Sequence, residues 1–176
     1  MNPVVIKQKA TSKDYLNLPE GAPYQLINGE LIMSPSPVSL HQRVLLKLVE
    51  ELGAIIKKSN SGELFISPLD VYFDDENIFQ PDIFFIAKDN PAQTDDHDWV
   101  RGIPDLIIEI LSPSNAYYDT QKKMRVYEKY GVQEYFIVDP EDKMVTAYSI
   151  IEEKYKEQYR EEGKIKSSLL HMEFQF

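Results

Sequence analysis

The pattern of apolar and polar positions predicts a chain that begins with a β-hairpin followed by a helix. Residues 24–33 alternate around Asn28-Gly29, a dipeptide typical of a two-residue hairpin turn. Ser39 and Gln42 form a capping-box pattern. After them, apolar residues recur at three- and four-residue steps. This spacing predicts an amphipathic helix over about residues 40–58.

Apolar runs in the rest of the chain predict buried strands around a second helix. These runs span residues 64–73, 83–87, 106–111 and 134–138, and a further hairpin is predicted over residues 146–159. The runs 83–87 and 106–111 are apolar on both faces, which is typical of interior strands. Residues 88–102 form a polar connection long enough for a lid or a binding loop. The second helix is predicted over about residues 119–130, because Gly131 supplies its C-terminal cap.

The order of these elements predicts an α/β (α+β) protein with a central mixed sheet flanked by helices. A length of 176 residues without internal repeats fits one domain over residues 1–176. The absence of cysteine excludes disulfides, thiolate zinc sites and thiol nucleophiles. Since the N-terminus lacks the apolar stretch of a signal peptide and no run of about 18 apolar residues occurs, we expect a cytoplasmic protein without a membrane span.

The net charge argues against an extended nucleic-acid-binding surface. A formal charge of −10 and a pI of about 4.8 oppose an extended basic surface for nucleic acid, whose affinity depends largely on phosphate neutralisation. An acidic total is still compatible with a local basic groove, or with a divalent metal that bridges carboxylates to phosphate.

Two acids lie in or beside the predicted interior strands. Glu109 interrupts the apolar run 106–111, and a buried carboxylate without a partner costs on the order of several kcal/mol or takes up a proton. Asp82 follows Pro81 at the start of the run 83–87. Taken singly, either acid fits a structural role, as an ion pair or a strand-start residue. As a pair on neighbouring strands, they match the carboxylates of a Mg²⁺ site.

Lys123 is predicted to point inward from the second helix. At about 100° per residue, it shares its face with Asp119, Val126, Tyr127 and Tyr130. Lys122 falls on the opposite, solvated side. We therefore expect Lys123 to face the sheet with a carboxylate such as Glu109 as its partner. The alternative is that its stem packs while its ammonium group reaches water.

These residues belong to motifs that cover nearly the whole chain. The motifs are residues 24–37, His41-Gln42, residues 81–85 and 104–114, Asp119 with Lys123 and Tyr127, and residues 131–140. Together they resemble the bacterial family of putative restriction endonucleases, long catalogued as a domain of unknown function.

The resemblance implies a restriction-endonuclease-like fold with a PD-(D/E)XK active site. Asp82 and Glu109 would hold one or two Mg²⁺ ions, with Mn²⁺ as a substitute, helped by the main-chain carbonyl of Ile110. Leu111 stands where the superfamily lysine is expected, and the resemblance moves that role to Lys123. The implied activity is that of a DNA endonuclease hydrolysing phosphodiester bonds, with Lys123 assisting the attack of water.

Other residues are secondary candidates. His41 begins the first helix, where a histidine is more often a local hydrogen-bonding residue. Asp70 and Asp119 are expected to support the metal ligands, and Tyr127 accompanies them. Residues 95–99 look ligand-like, although such a stretch is more often a solvated turn. Gln25 and Asn28 occupy hairpin positions where the family often carries acids.

Two other functions are compatible with the sequence. One is a non-catalytic module that binds nucleic acid or protein and retains the nuclease fold, which the acidic charge favours. The other is a hydrolase that uses Asp82 and Glu109 as an acid–base pair on another substrate, which is disfavoured if Lys123 keeps both acids ionised. The resemblance also implies a homodimer, and residues 149–176 are a candidate segment for its edge.

Overall fold

The computed structural model describes residues 9–19, 21–34, 36–94, 99–113 and 116–176. The helices in this part of the chain are α1 (Ser12–Leu16), α2 (Ser39–Ser59), a π-helix (Tyr118–Lys123) and α3 (Met124–Tyr130). The strands are β1 (Tyr24–Ile27), β2 (Glu30–Met33), β3 (Gly62–Ile66), β4 (Val71–Asp74), β5 (Asn77–Phe79), β6 (Ile83–Ala87), β7 (Gln93–Thr94), β8 (Val100–Arg101), β9 (Leu106–Ile110), β10 (Glu134–Val138), β11 (Met144–Ile151), β12 (Lys154–Glu162), β13 (Lys164–Ser167) and β14 (Met172–Gln175). None of the described helices is long and apolar enough to cross a membrane.

The strands form two six-stranded sheets and a separate hairpin. The central sheet, in the order β12-β11-β10-β9-β6-β3, is mixed, because β9 and β10 run parallel while its other neighbours run antiparallel. The second sheet has the order β2-β1-β5-β4-β8-β7, and β13 pairs with β14 alone. The predicted α/β fold, with a mixed sheet flanked by helices, is confirmed.

The two faces of the central sheet bury different partners. Because successive side chains of a strand point to opposite faces, Ile108 and Ile110 of β9 pack with α2 and the β13–β14 hairpin, whereas Ile107 packs with α3 and the second sheet. Glu109 lies on the same face as Ile107. Asp82 precedes β6 in phase with Phe84, which belongs to that face too. Both acids therefore lie on the α3 side of the sheet.

Several predictions from the pattern of the chain are confirmed. β1 and β2 pair as a hairpin whose turn residues Asn28 and Gly29 both have left-handed φ angles, 52° and 77°. The strands predicted over residues 83–87, 106–111 and 134–138 and the final hairpin are present as β6, β9, β10 and β11–β12. β6 and β9 are interior strands, as their apolar faces indicated.

Two predictions about these elements are wrong, and two further segments are present with a different local structure. The N-cap of α2 is Val38 and no side chain caps it, so Ser39 and Gln42 do not form a capping box. Residues 64–73 are divided between β3 and β4 in different sheets, on either side of Pro68, which has no N–H to donate to a ladder. The polar connection 88–102 contains the short strands β7 and β8. The predicted second helix begins as a π-helix before continuing as α3.

Candidate active site

A cavity of about 590 Å³ lies where β6 and β9 meet the π-helix and the start of α2. Five residues predicted for the site line this cavity: Asp82, Glu109, Ile110, Asp119 and Lys123. The pairing of Ile83 with Ile108 explains the juxtaposition of the two acids. Since β6 and β9 are antiparallel, the next step of this register brings Asp82, one residue before Ile83, opposite Glu109, one residue after Ile108.

Glu109 is fixed from α3 and the π-helix. It is only 2% exposed, and its Oε1 accepts hydrogen bonds from Lys123 Nζ at 3.0 Å and from the Tyr127 hydroxyl at 2.8 Å. Lys123 is 4% exposed, so its ammonium group does not reach bulk water. The prediction that Lys123 faces the sheet and contacts Glu109 is confirmed, and the alternative of a solvated ammonium group is wrong.

Asp82 is fixed by a main-chain group and a histidine. Its Oδ2 accepts a hydrogen bond from the Ile110 N–H at 2.8 Å and lies 3.1 Å from His41 Nε2. The imidazole thus reaches Asp82 from the first turn of α2. His41 continues the buried stripe of that helix, one turn before Val44 and Leu45, which is the sequence signal that would have placed it.

Each acid has one oxygen that accepts hydrogen bonds within the described part of the chain and one that does not. Oδ1 of Asp82 and Oε2 of Glu109 accept no hydrogen bond from any residue that the structure describes. Both acids line the cavity. We call these two atoms the open oxygens.

Asp119 adds a third buried carboxylate to the cluster. Its Oδ1 lies 2.9 Å from Lys123 Nζ, and the residue is 2% exposed. The two residues are four apart within the π-helix, a helix type found frequently at functional sites. Lys123 therefore divides its single charge between Asp119 and Glu109.

The pKa values in the cluster reflect burial and crowding of negative charge. Burial raises the pKa of Glu109 to about 8, and Lys123 offsets only part of this rise while Asp119 and Asp82 add to it. Burial also raises the pKa of Asp119, with Lys123 opposing. Burial alone would lower the pKa of Lys123, but Asp119 and Glu109 raise it overall. Lys123 thus offsets the effect of burial on Glu109 only in part, because one ammonium group serves two buried carboxylates, and the expectation that it keeps both strand acids ionised stays a prediction.

Burial and the neighbouring Asp82 have opposite effects on the pKa of His41. Burial would lower the pKa of His41, but the hydrogen bond and charge of Asp82, together with the main-chain oxygen of Ile110, raise it above its ordinary value. Its Nδ1 is buried and has no hydrogen-bond partner among the described residues.

The remaining candidates differ in their relation to this cavity. Tyr127 joins the cluster through Glu109, whereas Asp70 lies outside the cavity, hydrogen-bonded to Tyr15 and Gln80. Residues 95–98 lie outside the described part of the chain, although Trp99 is described. Asn28 is exposed in its turn and does not line the cavity.

The wall also holds polar residues that the sequence pattern did not indicate. Gln25, at a hairpin position where the family often carries an acid, lies in the wall and accepts a hydrogen bond from the Gln80 N–H at 3.0 Å. Gln80 and Ser112 line the cavity as well. Each lies two residues from a predicted ligand, Asp82 or Ile110, and this strand-like spacing was the available signal.

Comparisons with known proteins agree with this architecture. The profile of the family Uma2, described as "Putative restriction endonuclease", matches residues 12–176. A protein of Synechocystis sp. (strain ATCC 27184 / PCC 6803 / Kazusa), described as "Uncharacterized protein sll1609", is 31% identical over 133 residues, or 73% of this chain and 74% of that protein. The crystal structure of a putative nuclease belonging to DUF820 from Anabaena variabilis ATCC 29413 matches with a TM-score of 0.69 and 24% identity, covering 86% of this chain and 82% of that one. At this identity the structural match concerns the fold.

Proposed function

The chain belongs to the Uma2 family of putative restriction endonucleases, and on this premise we propose that it is a metal-dependent DNA endonuclease that hydrolyses phosphodiester bonds. In this proposal Asp82, Glu109 and the main-chain oxygen of Ile110 hold Mg²⁺, and Lys123 assists the attack of water. The observation that carries the proposal is the pair of open oxygens beside one cavity.

The donor set fits a hard divalent cation. Mg²⁺ takes oxygen ligands and is usually held by one or two carboxylates, with water and phosphate oxygens completing its shell. Among the described residues there is no cluster of three or more histidine and acidic side chains arranged to hold a metal. In this proposal two carboxylates and a carbonyl would form the protein's share of the site, and Mn²⁺ would use the same oxygens.

The charge balance of the cavity favours a cation. Asp82, Glu109 and Asp119 line it, whereas Lys123 is its one lysine among the described residues. With the three acids ionised and both Lys123 and His41 protonated, as the raised pKa of His41 favours, the lining still carries one negative charge. Burial and, to a smaller extent, the neighbouring acids raise the pKa of Glu109, and a dication would lower that pKa by favouring the carboxylate.

The side chains of the cluster have separate roles in the proposed hydrolysis. A bound divalent metal lowers the pKa of water and neutralises charge on the phosphate. Lys123 supplies an ammonium group whose position is fixed by Asp119 and Glu109, so it can orient the attacking water or stabilise negative charge in the transition state without reorganisation. Tyr127 and His41 hold Glu109 and Asp82 in their orientations.

The proposal is tested with plasmid, single-stranded and branched DNA incubated with Mg²⁺, Mn²⁺ or a chelator. We expect cleavage only with metal. Lys123→Met should lower the rate about 10²–10³-fold, the usual effect of removing one transition-state donor. Lys122→Met is the matched control, because Lys122 lies on the outer side of the same helix and pairs with Glu30 at 2.6 Å. It should cleave at the parent rate.

Three other outcomes would contradict parts of this proposal. Equal loss in the Lys122 and Lys123 variants would remove the case for Lys123. Cleavage that survives the chelator would favour an acid–base pair, for which a raised carboxyl pKa is suited. Binding of DNA without cleavage under any metal would favour the non-catalytic module.

We extend the proposal to a homodimer that pairs through the edge of the central sheet. β12 lies at that edge, and it belongs to the segment 149–176, which the sequence suggested as the edge of a dimer. The β13–β14 hairpin of the same segment packs inside its own chain, where Ile165 is fully buried. Sedimentation should give twice the mass of 20.4 kDa, and a monomer at assay concentrations would contradict the pairing.

A further inference from the structure

A second cavity of about 270 Å³ adjoins the catalytic one. The two share Gly21, Ala22 and Gln80 in their walls. Gln80 is two residues from Asp82, and two residues of chain span no more than about 7 Å. A group bound in the second cavity is therefore an immediate neighbour of a phosphate bound at Asp82.

The walls of this second cavity are aromatic and apolar. Tyr15, Leu16, Leu18, Pro19 and Trp99 line it. Trp99 is stacked against Tyr72, with ring centroids 5.5 Å apart, so its indole plane is held in place. Flat apolar walls of this kind suit a planar ring, as in sites that take an unstacked nucleobase.

The polar groups of the cavity offer acceptors. Asp70 Oδ1 accepts hydrogen bonds from the Tyr15 hydroxyl at 2.9 Å and from Gln80 Nε2 at 2.8 Å. Burial and the charge of Asp70 raise the pKa of Tyr15, which keeps its hydroxyl a donor. Asp70 Oδ2 and Gln80 Oε1 accept no hydrogen bond from any residue that the structure describes. A ligand with adjacent N–H donors matches this pair.

We propose that the second cavity is a subsite for one unpaired nucleobase next to the scissile phosphate, with a preference for guanine. Guanine presents an imino and an amino donor side by side. Adenine and cytosine place an acceptor beside their amino group, and thymine has one imino donor between two carbonyls. This inference rests on the nuclease function proposed above and specifies its substrate, a nucleic acid with a single-stranded or extruded guanine.

The test uses Trp99, the one tryptophan of the sequence, as a fluorescent reporter of binding. Trinucleotides with a central guanine, adenine, cytosine, thymine or hypoxanthine are titrated without metal, as deoxyribose and ribose versions. The guanine trinucleotide should quench Trp99 with an affinity at least about tenfold above the others, as expected for one well-formed bidentate pair. Hypoxanthine, which lacks the amino group, should lose most of that preference. The ribose versions show whether DNA or RNA is favoured.

Variants separate this subsite from the catalytic cluster. Asp70→Asn should abolish the guanine preference, while Asp105→Asn, which alters a buried acid outside both cavities, should preserve it. Asp82→Asn should lose cleavage and still bind guanine, so that failure of the nuclease proposal is distinguishable from failure of this one. Equal affinity for all bases, absence of quenching, or a preference retained in Asp70→Asn would overturn the inference. The comparison of bases on the parent protein holds even if a variant fails to fold.

Discussion

Glu109 and Glu134 are buried acids on neighbouring strands of one sheet, and their surroundings differ. Both oxygens of Glu134 are occupied, Oε2 by the Ser167 hydroxyl at 2.5 Å and Oε1 by the main-chain N–H groups of Ser168 and Leu169 at 2.8 and 3.0 Å. Glu109 has two donors on one oxygen and none from the described residues on the other. Glu109 lines a cavity, and Glu134 does not line any of the three described cavities.

The difference separates a structural acid from a candidate metal ligand. Asp105 supports the distinction, since Gln133 donates to its Oδ1 and Ala87 and Asn90 donate to its Oδ2. Burial of a carboxylate is therefore a poor sign of function by itself. An oxygen that lacks a donor and faces a cavity is the informative feature, because a buried charge requires compensation from a ligand when the protein does not supply it.

The largest expected effect is on catalysis at Glu109. Glu109→Gln keeps the size of the side chain but removes a metal ligand, so the rate of metal-dependent cleavage should fall at least about 1000-fold, or about 4 kcal/mol. The midpoint of thermal unfolding should change little, because Lys123 retains Asp119 as a partner. Single-turnover cleavage and a melting curve measure the two quantities. A variant within tenfold of the parent rate would show that Glu109 belongs with the structural acids.

The counterpart at Glu134 should affect stability instead. Glu134→Ala leaves a buried hydroxyl and two N–H groups without their acceptor, and we expect a loss of about 3 kcal/mol in the free energy of unfolding. Urea denaturation measures this loss, and the folded fraction should cleave at the parent rate. Glu134→Gln, which retains one acceptor, serves as a milder control. An unchanged free energy of unfolding in Glu134→Ala would show that Glu134 is not the structural acid that we contrast with Glu109.

Metal binding should stabilise the protein through Glu109 and not through Glu134. At a Mg²⁺ concentration 100 times its dissociation constant, linkage predicts about 2.7 kcal/mol of added stability. The parent and Glu134→Gln should both gain it, and Glu109→Gln should not. Denaturation with and without Mg²⁺, at constant ionic strength, provides the measurement. The same gain in all three proteins would mean that the ion binds elsewhere.

The smallest expected effect comes from the hydroxyl that orients Glu109. Tyr127→Phe removes one hydrogen bond to a charged acceptor, and we expect a rate about tenfold lower, equivalent to about 1.4 kcal/mol. Tyr135→Phe is the matched control, since this buried hydroxyl donates to the main-chain oxygen of Asp119 at 2.9 Å and not to Glu109. It should lose stability and keep its rate. If both variants cleave alike, the orientation of Glu109 does not depend on Tyr127.

Much of the fold and the core of the candidate site were predictable from the sequence, because periodicity reports burial locally. The continuous apolar runs of β6 and β9 predicted interior strands, and the helical phase of residues 119–130 placed Lys123 inward. These predictions need only neighbours within a few residues. Asp82 directly precedes one of these apolar runs and Glu109 lies within the other, and this indicated a shared site.

The tertiary structure alone decided which buried acids are saturated and which are open. The donors of Glu134 come from residues at least 33 positions along the chain, and His41 reaches Asp82 across 41 positions. Likewise, only packing divided residues 64–73 between two sheets and set the cavity of Asp70 and Trp99 beside the catalytic one. Sequence patterns record whether a side chain is buried, whereas the partner that meets it depends on how distant segments pack.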